Sequence, residues 1–258
     1  MHKPLKVVVI TGAATGIGAA CAREFAAHGW QVALSYLDDA THVAVLEVAA
    51  TCEALGAGTL VQHLDVTQDA DCHAFARAAL AHWGRIDALV NCAGTTRFIP
   101  HADLDALDPA EFHRTYDVNT VGLYRMTRAC APALQASGGG SVVNISSIGG
   151  VIGRGSSMAY AASKGAVNTL TLSLARALAP AIRVNAIAPG FVEGGLPSRV
   201  LDAVRHAEVL QAQTAASVLR RVSQPEEVAA LAWFVTERAP GMTGNIVPMD
   251  NGLHLNAG

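Results

Sequence analysis

A chain of 258 residues suits one α/β domain, or at most two small ones. With 51% apolar and only 15% charged residues it can bury a sizeable core, and 18 basic against 21 acidic side chains leave a formal charge of −3. Without an extended basic patch, that balance argues against nucleic acid or membrane as a main partner and for a small-molecule substrate. The apolar stretch Val7-Val8-Val9-Ile10 is too short for a signal-peptide core or a membrane span, so a cytoplasmic protein is expected. Cys21, Cys52, Cys72, Cys92 and Cys130 are an odd, scattered set without a Cys-x-x-Cys pair, read as reduced and mostly buried. The histidines show no ligand spacing either, so no metal site is expected.

In chain order, apolar runs predict strands at 6–11, 31–36, 59–64, 87–91, 141–146 and 182–188, with a last one near 245–249. Ala-rich helical patterns lie between them at about 17–28, 40–55, 69–83, 104–136 and 158–179. Strands rich in Val and Ile without alternation suit a parallel sheet covered on both faces. The rhythm predicts one α/β domain over 1–258: a Rossmann-type doubly wound parallel sheet of about seven strands, with helices on both faces. Segment 192–222 breaks the rhythm with a longer, mixed and polar composition, as a substrate lid would.

Thr11-Gly12-Ala13-Ala14-Thr15-Gly16-Ile17-Gly18 follows the first strand and opens the first helix. Its glycines allow a tight turn, close approach of backbone N–H groups to a pyrophosphate, and close helix–strand packing. A structural turn is the plain alternative, but the strand-before, helix-after position favours a dinucleotide. Tyr160 and Lys164, four residues apart in a helical stretch, project from one face. A nearby ammonium stabilises a phenolate, so the pair is expected to lower the Tyr160 pKa and equip it for acid–base work. Alone, such a pair is commonplace on a solvated helix. Ser147 ends the fifth strand, where ligands of doubly wound sheets bind.

The G-x-x-x-G-x-G spacing after Thr11, Asn91-Cys92-Ala93-Gly94, Ser147 placed 13 residues before Tyr160, Asn185 and Pro189-Gly190 together resemble the short-chain dehydrogenase/reductase family over essentially the whole chain. The resemblance implies an NAD(P)-dependent oxidoreductase acting on a carbonyl or secondary alcohol of a sugar, ketone or 3-oxoacyl type. Within it, Ser147 polarises the substrate oxygen, Tyr160 passes the proton, Lys164 binds the nicotinamide ribose, and Asn119 holds a water. Ser146 is read as a structural neighbour. Cofactor contacts are implied for Gly12, Thr15, Gly16, Ile17 and Gly18; for Ser35, Tyr36, Asp65 and Val66; for Asn91, Ala93 and Gly94; for Tyr160 and Lys164; and for Pro189, Gly190 and Val192. Substrate contacts are expected from Thr96, Arg97, Gly149 and Phe191, within a wider lining of Thr95, 148–151, Ser157, Met158 and 194–217. Arg97 or Arg154 is either a partner for an anionic substrate group or a solvated surface residue. The family's assembly through its long helices implies a homotetramer or homodimer.

Which nicotinamide cofactor is used turns on the end of the second strand, where an acid would favour NAD. Tyr36 stands there, and Ser35 and Tyr36 offer hydroxyls to a 2′-phosphate. The family's two usual places for a phosphate-binding base hold Thr15 and Leu37. Asp38 and Asp39 either repel a phosphate or cap the next helix. The balance leans to NADP over NAD. Gly194 replaces the Thr usual in the family, which removes one cofactor contact, offset by a lid residue or leaving the lid more mobile. A dinucleotide-binding sensor without turnover, and a lyase or epimerase, remain as alternative functions on the same fold.

Overall fold

The computed structural model describes residues 5–256. Seven strands form one all-parallel sheet: β1 (Val7–Thr11), β2 (Gln31–Tyr36), β3 (Thr59–His63), β4 (Ala88–Asn91), β5 (Gly140–Ile145), β6 (Ile182–Pro189) and β7 (Ile246–Met249). Their order is β3-β2-β1-β4-β5-β6-β7. This is the doubly wound sheet expected, with each strand within a residue or two of its predicted place. β1 is buried at every position because both faces are covered. Successive side chains alternate sides. Val8 and Ile10 join the core beneath α1 (Gly16–Ala27), α2 (Asp39–Ala54) and α10 (Pro225–Glu237), with Phe25, Val45 and Val228. Val9 joins the opposite core, with Phe75 of α3 (Asp69–Trp83), Met126 of α5 (Leu123–Ala136) and Val167 of α7 (Met158–Leu178).

The helix expected from 104 begins five residues later. Asp108 accepts from the Ala110 N–H at 2.8 Å and Pro109 takes the first turn, so α4 spans Pro109–Tyr116. A π-helical turn, Asp117–Gly122, then joins α4 to α5. Gly122 makes that junction fit: a Cβ there would lie 2.7 Å from Val66 Cγ2. α6 (Gly149–Ile152) is a single turn after β5.

Segment 192–222 holds α8 (Leu196–Val200) and α9 (Ala203–Ala216), neither with a buried residue. Its two ends meet in a parallel bridge, where Ser223 N–H donates to Phe191 O and Glu193 N–H to Ser223 O. Among the described residues, no helix is long and apolar enough to cross a membrane, and no group of three His, Cys, Asp or Glu is placed to hold a metal ion.

Candidate active site

The strand order reverses between β1 and β4, and the crevice beyond their carboxyl ends is where such sheets bind ligands. The glycine turn after β1 and the Asn91–Gly94 turn after β4 are stitched together there. Thr11 Oγ1 accepts from the N–H groups of Cys92 and Ala93, each at 3.0 Å. Gly12 has φ +65°, and a Cβ on it would lie 3.0 Å from Ala93 Cα. A Cβ on Gly18 would come 2.1 Å from the Gly12 carbonyl oxygen. Hence α1 packs directly on the turn, as the sequence spacing suggested. Thr15 makes no side-chain cap, so N–H groups at the start of α1 are left for an anion. Ile17 packs its side chain against the core. A Cβ-free cradle at a helix N-terminus fits a dinucleotide pyrophosphate.

Other expected cofactor residues surround this cradle. Ser35 is buried beneath it, its oxygen accepting from Gly12 N–H at 3.0 Å, so it braces the turn. Tyr36 stacks on His42 with ring centroids 4.3 Å apart and meets His63 edge-on. Asp38 turns into its own helix, accepting from Thr41 N–H at 2.8 Å in a capping box. Asp65 accepts from Thr67 N–H at 2.9 Å, and Val66 is buried against the π turn. Asn91 donates to Asn144 and Thr127 at 3.0 and 3.1 Å, a buried polar tie beneath the crevice. Ile148 N–H donates to Pro189 O, and Gly190 packs on Asp250, while Asn185 fastens β6 to Met242 and Asn245. Val192 is buried in the bridge to Ser223.

Two of the four residues named from the sequence, Asn119 and Lys164, meet at Gly94. A Cβ there would lie 3.4 Å from Asn119 Oδ1 and 3.9 Å from Lys164 Nζ. The π turn carries Asn119, whose Oδ1 accepts from Thr95 N–H at 2.8 Å and whose amide donates to Thr95 O and Ser163 Oγ. Ser157 caps α7 through Tyr160 N–H, which fixes where that helix starts and hence where Tyr160 and Lys164 stand one turn apart. Ser157 is therefore a buried cap and not an open pocket wall. Ser146 Oγ donates to Asn168 Oδ1 at 2.6 Å, binding β5 to α7. Lys164 Nζ donates to Ile145 O at 2.8 Å and stands 5.7 Å from the Tyr160 ring centroid.

The proton affinities depart from expectation. Burial pushes the Tyr160 phenol up to about 12, with the neighbouring Ser147 hydroxyl pulling the other way. Burial also brings Lys164 down to about 8. The lysine was expected to lower the phenol. Instead desolvation dominates both groups, and the ammonium is spent on the Ile145 carbonyl.

On the substrate side, Gly149 N–H donates to Ser147 Oγ at 3.1 Å. Thr96 is buried with its hydroxyl bonded to Ser156, and Phe191 lies 5.7 Å from the His206 ring. Arg97 is 64% exposed and 3.9 Å from Glu111, a buried carboxylate already gripped by both ends of the Arg114 fork. Two features had no sequence signal. One is the π turn beneath Asn119; the other is Arg199 of α8, whose Nη1 reaches within 3.4 Å of Thr15 Oγ1 from 184 residues away.

The family described as Enoyl-(Acyl carrier protein) reductase matches residues 12–254. A solved structure described as a short-chain dehydrogenase/reductase from Burkholderia xenovorans superposes with a TM-score of 0.92 at 52% identity, over 98% of this chain and 100% of that one. A granaticin polyketide synthase ketoacyl reductase of Streptomyces violaceoruber is 38% identical over 96% of each chain. The cis-4-hydroxycyclohexanecarboxylate dehydrogenase of Sinomonas cyclohexanicum is 34% identical over 96% of each. This chain belongs to the short-chain dehydrogenase/reductase family and is an NAD(P)-dependent oxidoreductase acting on a carbonyl group or its alcohol.

Proposed function

We propose that Tyr160 is the proton donor in ketone reduction, that Ser147 holds the reacting oxygen, and that Lys164 and Asn119 orient the cofactor ribose and a proton path. The observation that carries this reading is the meeting of Asn119 Oδ1 and Lys164 Nζ at Gly94, with the Ser147 hydroxyl close enough to the Tyr160 phenol to lower its proton affinity. The nicotinamide supplies or accepts the hydride when bound. The chain's own part is to aim two hydroxyl donors at an oxygen that gains negative charge in the transition state. Because Tyr160 holds its proton up to about 12, it enters reduction as an acid, and a developing alkoxide is basic enough to take that proton.

The substrate is a small ketone or secondary alcohol of the sugar, simple ketone or 3-oxoacyl kind, admitted between Gly149, Phe191 and the segment 192–222, which acts as the lid. Arg97 stands exposed at the rim of that opening, with Thr96 buried behind it. NADP is the favoured cofactor, because Tyr36 puts no carboxylate at the end of β2 and the Asp38 carboxylate is occupied in capping α2. Two copies pair through the exposed face formed by the π turn and α5, where Val121 and Tyr124 lie uncovered, as dimer or tetramer. Five unpaired cysteines suit a reducing, cytoplasmic setting. Tyr160→Phe tests the central assignment: ketone reduction should fall by about 10³-fold or more while NADPH binding holds, and a variant that keeps most of its rate would overturn it.

A further inference from the structure

We propose that Arg199 binds the ribose 2′-phosphate of NADPH, reaching across from the lid to supply the cation that the glycine turn and the end of β2 lack. This deepens the NADP reading above and rests on it.

The first ground is position. Arg199 sits on α8, yet its guanidinium stands 3.4 Å from the hydroxyl of Thr15, the residue that leads into α1. The approach is built into the backbone. A Cβ on Gly16 would lie 3.2 Å from Gly194 O and 3.3 Å from Gly195 Cα, so the loop that starts α8 rests directly on the glycine turn. The guanidinium's charge also reaches the loop that follows β2. The Asp38 carboxyl, held low chiefly by its Thr41 hydrogen bonds, also feels the Arg199 charge. A cation at the start of α1 whose field reaches the loop after β2 is placed where an arginine accommodates a 2′-phosphate in a dinucleotide fold.

The second ground is availability. Arg85, Arg114, Arg205 and Arg221 are each committed to a carboxylate. Among the described residues, Arg199 has no acidic group within 4 Å, and its only side-chain hydrogen bond is the long one to Thr15. Thr15 can release it at little cost. A guanidinium presents several donors in one plane, which matches a phosphate bidentately. Tyr36, stacked flat on His42, leaves its hydroxyl at the same strand end as a second donor. The 2′-hydroxyl of NADH gives this cation no charge to bind.

Direct titration of the purified protein with NADPH and NADH, followed by nicotinamide fluorescence, tests the assignment without turnover. Arg199→Ala should weaken NADPH about tenfold or more and NADH by less than about twofold, with Arg199→Lys in between. Adenosine 2′,5′-bisphosphate and 5′-AMP as competitors should show the same split. Raising salt should erode the wild-type preference for NADPH over NADH and leave the Arg199→Ala ratio flat. Equal losses for both cofactors would move the guanidinium to the shared pyrophosphate and overturn the proposal, as would no loss for either. A wild type that prefers NADH refutes the NADP reading, whereas the change in ratio on Arg199→Ala decides the arginine's role whichever cofactor is preferred.

Discussion

Tyr160 and Lys164 share a helix face, yet burial drives their proton affinities apart: the phenol holds its proton to about 12 and the ammonium gives its proton up near 8. The free enzyme's pKa values govern kcat/KM. Reduction needs a protonated phenol, present throughout the neutral range, and a charged lysine, lost as pH rises through 8. Reductive kcat/KM should therefore hold below about pH 8 and decline above it. Oxidation needs the phenolate as well as the charged lysine, so it should climb with pH up to about 8 and level off above it. A reductive profile flat to pH 10 would remove Lys164 from the proton path. The placement of these residues was legible, because a tyrosine and a lysine four apart share a helix face once α7 forms, and Ser147 follows β5. The direction of the pKa shift was not, since it depends on how deeply β5 and α7 bury each group.

At the level of elements, close approach between backbones decides what can be changed. Gly18 lets α1 lie on the Gly12 carbonyl, and an added methyl there would have to displace backbone. Gly18→Ala should cost about 3 kcal/mol in chemical denaturation and abolish dinucleotide binding. Gly165, inside α7, is the contrast: a Cβ there meets only Gly150 O, at an ordinary 3.6 Å. Gly165→Ala should stabilise the protein by about 0.5–1 kcal/mol. Strands were read nearly to the residue, because Val- and Ile-rich runs between turn signals leave one interpretation. The helix start at Pro109 was also written in Asp108-Pro109, a cap and first-turn pair that outranks helical periodicity. The π turn was not legible. It arises where Gly122 meets Val66 and Asn119 meets Thr95, contacts between segments far apart in the chain. Arg199 escaped for the same reason, being read as one polar residue in a mixed segment.

Across the whole molecule, the cysteines set an alkaline limit. Cys21, Cys52, Cys72 and Cys130 are fully buried, and burial raises every one of them, to about 11 for Cys52 and Cys72 and about 12 for Cys130. Between pH 9 and 11 the unfolded chain releases thiol protons that the folded chain keeps, so stability is whole below pH 9 and lost as pH rises. Each thiol contributes up to about 1.4 kcal/mol per pH unit. Lys164 opposes this as a single group, because its lowered pKa makes the folded state bind fewer protons between about 8 and 10.5. Thermal unfolding should therefore shift to lower temperature above pH 9, less steeply in Cys130→Ala, and a melting temperature constant to pH 10.5 would contradict that balance. The bridge between Val192 and Ser223 carries a different consequence. With both roots of the intervening segment pinned beside the sheet, its closure entropy grows only slowly with its length, by about 0.6 kcal/mol per doubling. Such a socket accepts insertions, deletions and exchanged loops without disturbing the strands or the proton-transfer residues. Divergence in substrate can then proceed by swapping one module on an unchanged engine.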